Sequence, residues 1–209
     1  MPARKTSDDL KEVIRDFRRD QVIDVARRLF GERGTTDVSM DEIASEAGVA
    51  RSTVYVYFAN REELLRACLQ RMHVQLLDAI ASTWEEDADP AHRLERLIEE
   101  MLARVDDSPG FFRLALVTQG TPAKGAEAVG DELALIGLDV AGLIQDLVEE
   151  GVARGDIRPI DIDLAINLIG QQIYGAMAVR AAEPAPRDRA MAAADTVRFI
   201  LHGLHGLAA

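Results

Sequence analysis

Apolar positions along this chain recur at i, i+3, i+4 and i+7, while strict alternation is scarce, so the pattern predicts helices almost throughout. The first clear stripe is Val22, Val25, Ala26, Leu29 and Phe30. It predicts a helix over 18–32, with Gly34 where a left-handed residue closes a helix. Ser39 and Glu42 then form a capping box that opens a second helix running to 47. Gly48 permits a sharp turn, and a short third helix is predicted over 51–57. Asn60 to Glu63 is a second capping box, heading a fourth helix that runs toward Trp84. Its stripe is Leu64, Leu65, Cys68, Leu69, Met72, Leu76 and Ile80. Pro90 marks the start of a fifth helix over 91–105. A short helix follows with Phe111, Phe112, Leu114, Ala115 and Leu116, stopped at Gly120, Thr121 and Pro122. A long helix is predicted over 124–154 and two more over 161–182 and 187–207. The sum is an all-α fold of about nine helices.

Residues 1–17 carry Leu10, Val13, Ile14 and Phe17 at helical spacing. They read as an extension of the first helix, as a separate turn, or as a disordered tail, with Arg4 and Lys5 as a basic arm. The organisation predicted is an extension over 1–17, a DNA-binding unit over 18–66 and a second helical domain over 67–209.

The second and third helices, joined at Gly48, form a helix-turn-helix. Ile43, Ala44, Val49 and Val54 are spaced to pack them together, which turns Arg51, Ser52, Thr53 and Tyr55 outward. A helix that reads DNA must present polar groups to base edges and phosphates. Arg51 suits a guanine edge or a phosphate, while Thr53, Tyr55 and Tyr57 offer hydroxyls to phosphate oxygens. Ser39 and Asn60 cap helices whose first amides suit phosphate, and Arg61 adds charge beside Asn60.

A net charge of −12 argues at first against a nucleic-acid partner. Its distribution changes that picture. Residues 1–75 hold 13 basic and 13 acidic side chains, and the remainder holds 11 basic and 23 acidic ones. The excess acid therefore lies outside the DNA-binding unit, and screening over about 8 Å at physiological salt lets the two regions act separately. The single cysteine, Cys68, makes no internal disulfide and fits a reducing, cytoplasmic setting. No apolar run reaches the roughly 18 residues of a membrane helix.

The order of these pieces resembles the tetracycline-repressor (TetR) family of bacterial transcription regulators. The resemblance rests on Ala26 to Phe30 with Gly34, on Ile43-Ala44 and Ala47-Gly48-Val49, and on Thr53 to Phe58 followed by Arg61 to Leu64. The chain departs from the family pattern at Ala50, where Ser or Thr is usual, and at Ser52, Val56, Tyr57 and Arg61. The loss at Ala50 removes an N-cap hydroxyl from the third helix.

The resemblance implies a ligand cavity among the middle helices and a homodimer built from the last two. For the cavity the residues named are Trp84, Met101, Val105, Phe111, Phe112, Gln119, Leu143, Leu147, Gln171 and Tyr174, which suit an apolar effector with few polar handles. For the dimer they are Ile173, Ala176, Met177, Val197, Ile200 and Leu201, among small residues that allow close helix approach. The implied partners are a pseudo-palindromic double-stranded DNA operator, a small-molecule effector and a second copy of the chain. The function implied is a ligand-responsive repressor, with control by a protein partner as the alternative. His202 and His205 stand three apart, yet no further ligand lies near in sequence, so no metal or other cofactor is expected. None of the common hydrolase, nucleotide-binding or metalloprotease motifs occurs, so no enzyme is expected.

Overall fold

The computed structural model describes residues 7–34, 37–85, 87–118 and 126–205. Among the described residues there are nine helices and no strand: α1 (Ser7–Arg33), α2 (Met40–Glu46), α3 (Arg51–Tyr57), α4 (Arg61–Thr83), α5 (Pro90–Asp107), α6 (Pro109–Thr118), α7 (Ala126–Arg154), α8 (Ile162–Ala182) and α9 (Arg189–His205). Arg4, Lys5, Gln119, Gly120, Thr121, Pro122 and the expected start of the seventh helix at 124 lie outside the described residues.

Local chemistry sets the boundaries. Gly34 donates its amide to Phe30 O at 2.9 Å and closes α1. Ser39 Oγ accepts the Glu42 amide at 3.2 Å, while Glu42 Oε2 accepts the Ser39 amide at 2.8 Å. This reciprocal cap is worth about 1 kcal/mol. Asn60 Oδ1 accepts the Glu63 amide at 2.8 Å, but Glu63 reaches back to the Ala59 amide, so the second box closes one residue early. Ala50 makes no side-chain cap to α3. Pro90 follows the N-cap Asp89, as a first-turn proline should. The N-terminal stripe continues α1 without a break from Ser7.

Two cores result. The first joins α1–α3 to the N-terminal half of α4 around Phe30, Ile43, Val54, Phe58, Leu64 and Cys68, and takes in Val105, Phe111 and Phe112. The second wraps α5 with α4, α7, α8 and α9 around Leu97, Ile98, Leu102, Ile144 and Ile169. The expected boundary at 66 falls inside α4, which belongs to both cores.

Three contacts fasten the helices where the cores meet. Where α1 crosses α6, a Cβ on Gly110 would stand 2.1 Å from the Gly31 carbonyl oxygen, so only glycine allows the approach. At the nearby C-terminal end of α5, Arg180 donates from Nε and Nη2 to the two Asp106 oxygens at 2.6 and 2.7 Å, and from Nη1 to Arg187 O. The paired carboxylate holds the guanidinium pKa above its ordinary value. Arg113 donates to Ala181 O at 2.6 Å, fastening α6 to α8.

Candidate functional site

Two sites are joined by α4, one at its N-terminal end and one beside its middle. The first is the outer face of α3. Ile43, Ala44, Ala47 and Val54 are buried between α2 and α3, and Gly48 turns the chain at φ 65°. That packing leaves Arg51, Ser52, Tyr55 and Val56 exposed and Thr53 and Tyr57 half-buried. Arg51 donates to Asp41 at 2.8 Å and lies 5.5 Å over the Tyr55 ring. Asp41 thus holds the guanidinium on the outer face of α3. Tyr57 meets Phe58 edge-on at 6.3 Å, and Arg19 covers the Phe58 ring at 5.4 Å. Ser39 and Asn60 are exposed, each with its side chain engaged in its cap. Arg61 is half-buried at the head of α4. The eight residues named for DNA therefore lie on one connected stretch from α2 to α4. Val56, 76% exposed, is an apolar group on this stretch.

The second site is a partly open cavity of about 210 Å³ lined by α4, α5, α6, α7 and α8. Its wall is mostly aliphatic, with Leu76, Ile136, Val140, Ile144 and Ile173 among its members. Of the residues expected there, Met101, Phe112 and Tyr174 line it. The others are placed elsewhere. Val105 and Phe111 belong to the first core, Val105 one turn beyond Met101 on the same stripe of α5. Trp84 sits at the end of α4, with the Arg93 guanidinium 5.6 Å above it. Leu143 packs on the second core, and Leu147 lines a separate depression with Ile157 and Leu201. Gln171 is exposed on α8.

The cavity also takes residues that sequence reasoning passed over. His73, Arg104, Gly137 and Gly170 line it. A signal for Arg104 existed: it continues the spacing of Leu97 and Met101 on α5, a charged group on a buried stripe. His73 Nε2 lies 2.7 Å from Asp139 Oδ2.

Of the expected dimer residues, those buried within a single chain require correction. Ile173 and Met177 face the cavity, and Val197 and Ile200 are buried within a single chain's second core. Ala176 and Leu201 are half-buried. The apolar residues that α8 and α9 leave exposed are Leu164, Leu168, Val179, Met191 and Phe199. Apolar spacing marks stripes without saying which one faces the chain's own core.

Among the described residues no cluster of His, Cys, Asp and Glu is arranged to hold a metal, and no helix is long and apolar enough to cross a membrane. His202 is exposed. Cys68 is buried with its Sγ 3.6 Å from Ile23 O, and burial pushes the thiol up to about 12, so the flanking arginines do not activate it.

Residues 22–68 match the model of the tetR family of bacterial regulatory proteins. The span covers α2, α3 and the adjoining parts of α1 and α4. The chain is similar to an uncharacterized HTH-type transcriptional regulator of Mycobacterium tuberculosis, 35% identical over 124 residues, or 59% of this chain and 60% of that protein. The match thus spans about 60% of that relative's length. It is also 26% identical over 155 residues to the fatty acid metabolism regulator protein of Bacillus subtilis, covering 74% of this chain and 77% of that one. In fold it is similar to the transcriptional regulator FadR of Bacillus subtilis, solved in complex with stearoyl-CoA, at a TM-score of 0.74 and 23% identity over 88% of this chain and 98% of that one. Residues 22–68 thus form a helix-turn-helix domain similar to that of the tetR family, and the helical domain after it shares the fold of solved regulators of that kind.

Proposed function

We propose that this protein is a dimeric, sequence-specific DNA-binding transcription repressor, released from its operator by a largely apolar effector in the cavity between α4 and α8. The observation that carries the reading is the position of α4. Leu64, Cys68 and Leu69 of this helix belong to the core behind α3, and Met72, His73 and Leu76 of the same helix line the cavity. An occupant that favours one placement of α4 therefore favours one placement of α3. A coupling of about 1–3 kcal/mol would weaken DNA binding roughly 5–150-fold.

Likeness to a fatty acid metabolism regulator, and in fold to a FadR that holds stearoyl-CoA, supports an acyl-type effector, as does the aliphatic wall. The second copy is proposed to pack on the exposed stripes of α8 and α9, around Leu168, Gly175, Val179 and Phe199. Two α3 helices would then stand about 34–36 Å apart, one turn of DNA.

The test is a fluorescence-anisotropy titration against the DNA upstream of the protein's own gene, with unrelated DNA as competitor. Tyr55→Ala combined with Arg61→Ala is expected to weaken binding. Removing the Arg61 charge from a phosphate should also reduce the salt slope by about 1. An unchanged affinity and salt slope would show that neither side chain meets the DNA backbone. Binding no tighter than to the competitor would reject that DNA as the operator.

A further inference from the structure

A charged side chain on an apolar wall has lost water and needs partners. His73 has Asp139 2.7 Å from its Nε2, though that nitrogen also makes no hydrogen bond. Arg104, with more donors, is in the same position. Its Nη1 reaches Asp107 at 3.2 Å, one turn further along α5, while its Nε is buried with no hydrogen-bond partner. The side chain is 21% exposed. A guanidinium has five N–H donors and no acceptor, so this wall holds spare donor capacity. Buried nitrogens of Arg93 and Arg189 also lack hydrogen-bond partners, but those residues sit in ion pairs away from the cavity. Among the described arginines, Arg104 combines an orphaned donor with a place on the cavity wall, and Tyr174 adds a hydroxyl-bearing ring to the same cavity.

Its position in the fold adds meaning. Arg104 directly precedes Val105, a member of the first core, and its partner Asp107 is the last residue of α5. Gly110, seated on Gly31 of α1, follows three residues later.

We propose that Arg104 anchors the effector's head group, and that the effector is an amphiphile with an alkyl body and an anionic head, a carboxylate or a phosphate ester. This rests on the cavity being the effector site. The head takes the guanidinium from Asp107. The carboxylate of Asp107 then stands unpaired at a helix C-terminus, where negative charge is disfavoured. The strain falls on the turn that seats α6 against α1, so recognition of the head acts where the two halves of the molecule meet.

The test is calorimetric titration of the full-length protein with decanoate, decanol and decanoyl-CoA. Wild type is expected to bind an anionic probe about tenfold or more tightly than decanol, the increment of a charge-assisted hydrogen bond. Tighter binding of decanoate assigns a carboxylate head and tighter binding of decanoyl-CoA a phosphate one. Arg104→Gln is expected to abolish the preference while keeping decanol binding, and Asp107→Asn to strengthen the anionic probe. Equal binding of decanoate, decanoyl-CoA and decanol by wild type, unmoved by Arg104→Gln, would overturn the anchor and leave the cavity reading intact. No binding of any probe would overturn both. Should Arg104→Gln fail to fold, Asp107→Asn decides: no gain in anionic affinity overturns the proposal.

Discussion

The two cores are built on different plans. The first is filled by rings: Phe30, Phe58, Phe111 and Phe112 are all buried in it. The second is aliphatic, with no buried aromatic among its described residues. Where α7 and α8 would close on each other, Gly137 and Gly170 line the cavity instead. Large rigid rings fill space between short helices and hold α2 and α3 in one arrangement. Long aliphatic helices with glycine on their facing sides leave room for an occupant. Similar apolar content thus yields a solid region and a hollow one, and the difference lies in side-chain shape.

The strongest way to break this comparison is to disturb the seam between the two regions. Gly110→Ala places a methyl group into the Gly31 backbone and should cost about 3 kcal/mol or more. Gly142→Ala on α7 meets nothing within 4 Å and should stabilise by about 0.5–1 kcal/mol through helix propensity. Chemical denaturation of both variants checks the pair, and equal stability would mean that the seam yields. The comparison is sharpened by one substitution made in both regions. Ala44→Phe in the first core should destabilise by about 1–3 kcal/mol, whereas Ala141→Phe, on the cavity wall, should cost less than about 1 kcal/mol and abolish effector binding. Thermal unfolding with and without decanoate reads both effects. The smallest change to the fold is expected at Phe199, 66% exposed on α9. Phe199→Glu should alter single-chain stability by no more than about 0.5 kcal/mol yet weaken self-association. A variant that sediments as wild type at micromolar concentration would move the proposed interface off that stripe.

Sequence reasoning was most successful where structure is decided locally. The limits of α3, the cap of Ser39 and the turn at Gly48 follow from hydrogen bonds and dihedral angles within a few residues, and the structure has all three. The fold class followed from periodicity alone. The site was only partly legible. Arg51, Ser52 and Tyr55 had to face outward once Val54 faced inward, because a seven-residue helix has one core to meet. Helices α5 and α8 meet several neighbours at once. On α5, Met101 faces the cavity while Val105 faces the first core, and periodicity cannot separate two buried destinations. The same ambiguity moved Val197 and Ile200 from the expected dimer face into a single chain's interior. Arg104 was passed over because a charge on a buried stripe reads as an interruption of the pattern.

The crossing of Gly31 and Gly110 sets the mechanics of any motion between the two halves. Side chains at a helix contact can change rotamer and absorb a displacement, but main-chain atoms in contact cannot. The crossing therefore acts as a fulcrum placed near one end of a long rod. From Gly31 back to the start of α1 is about 36 Å at the helical rise, and to Val22 about 14 Å. A tilt of about 5° would carry the far end through about 3 Å and Val22 through about 1 Å, and Val22 belongs to the core behind α3. A small rotation of α6 is in this way delivered to the core behind α3 as a translation of about 1 Å.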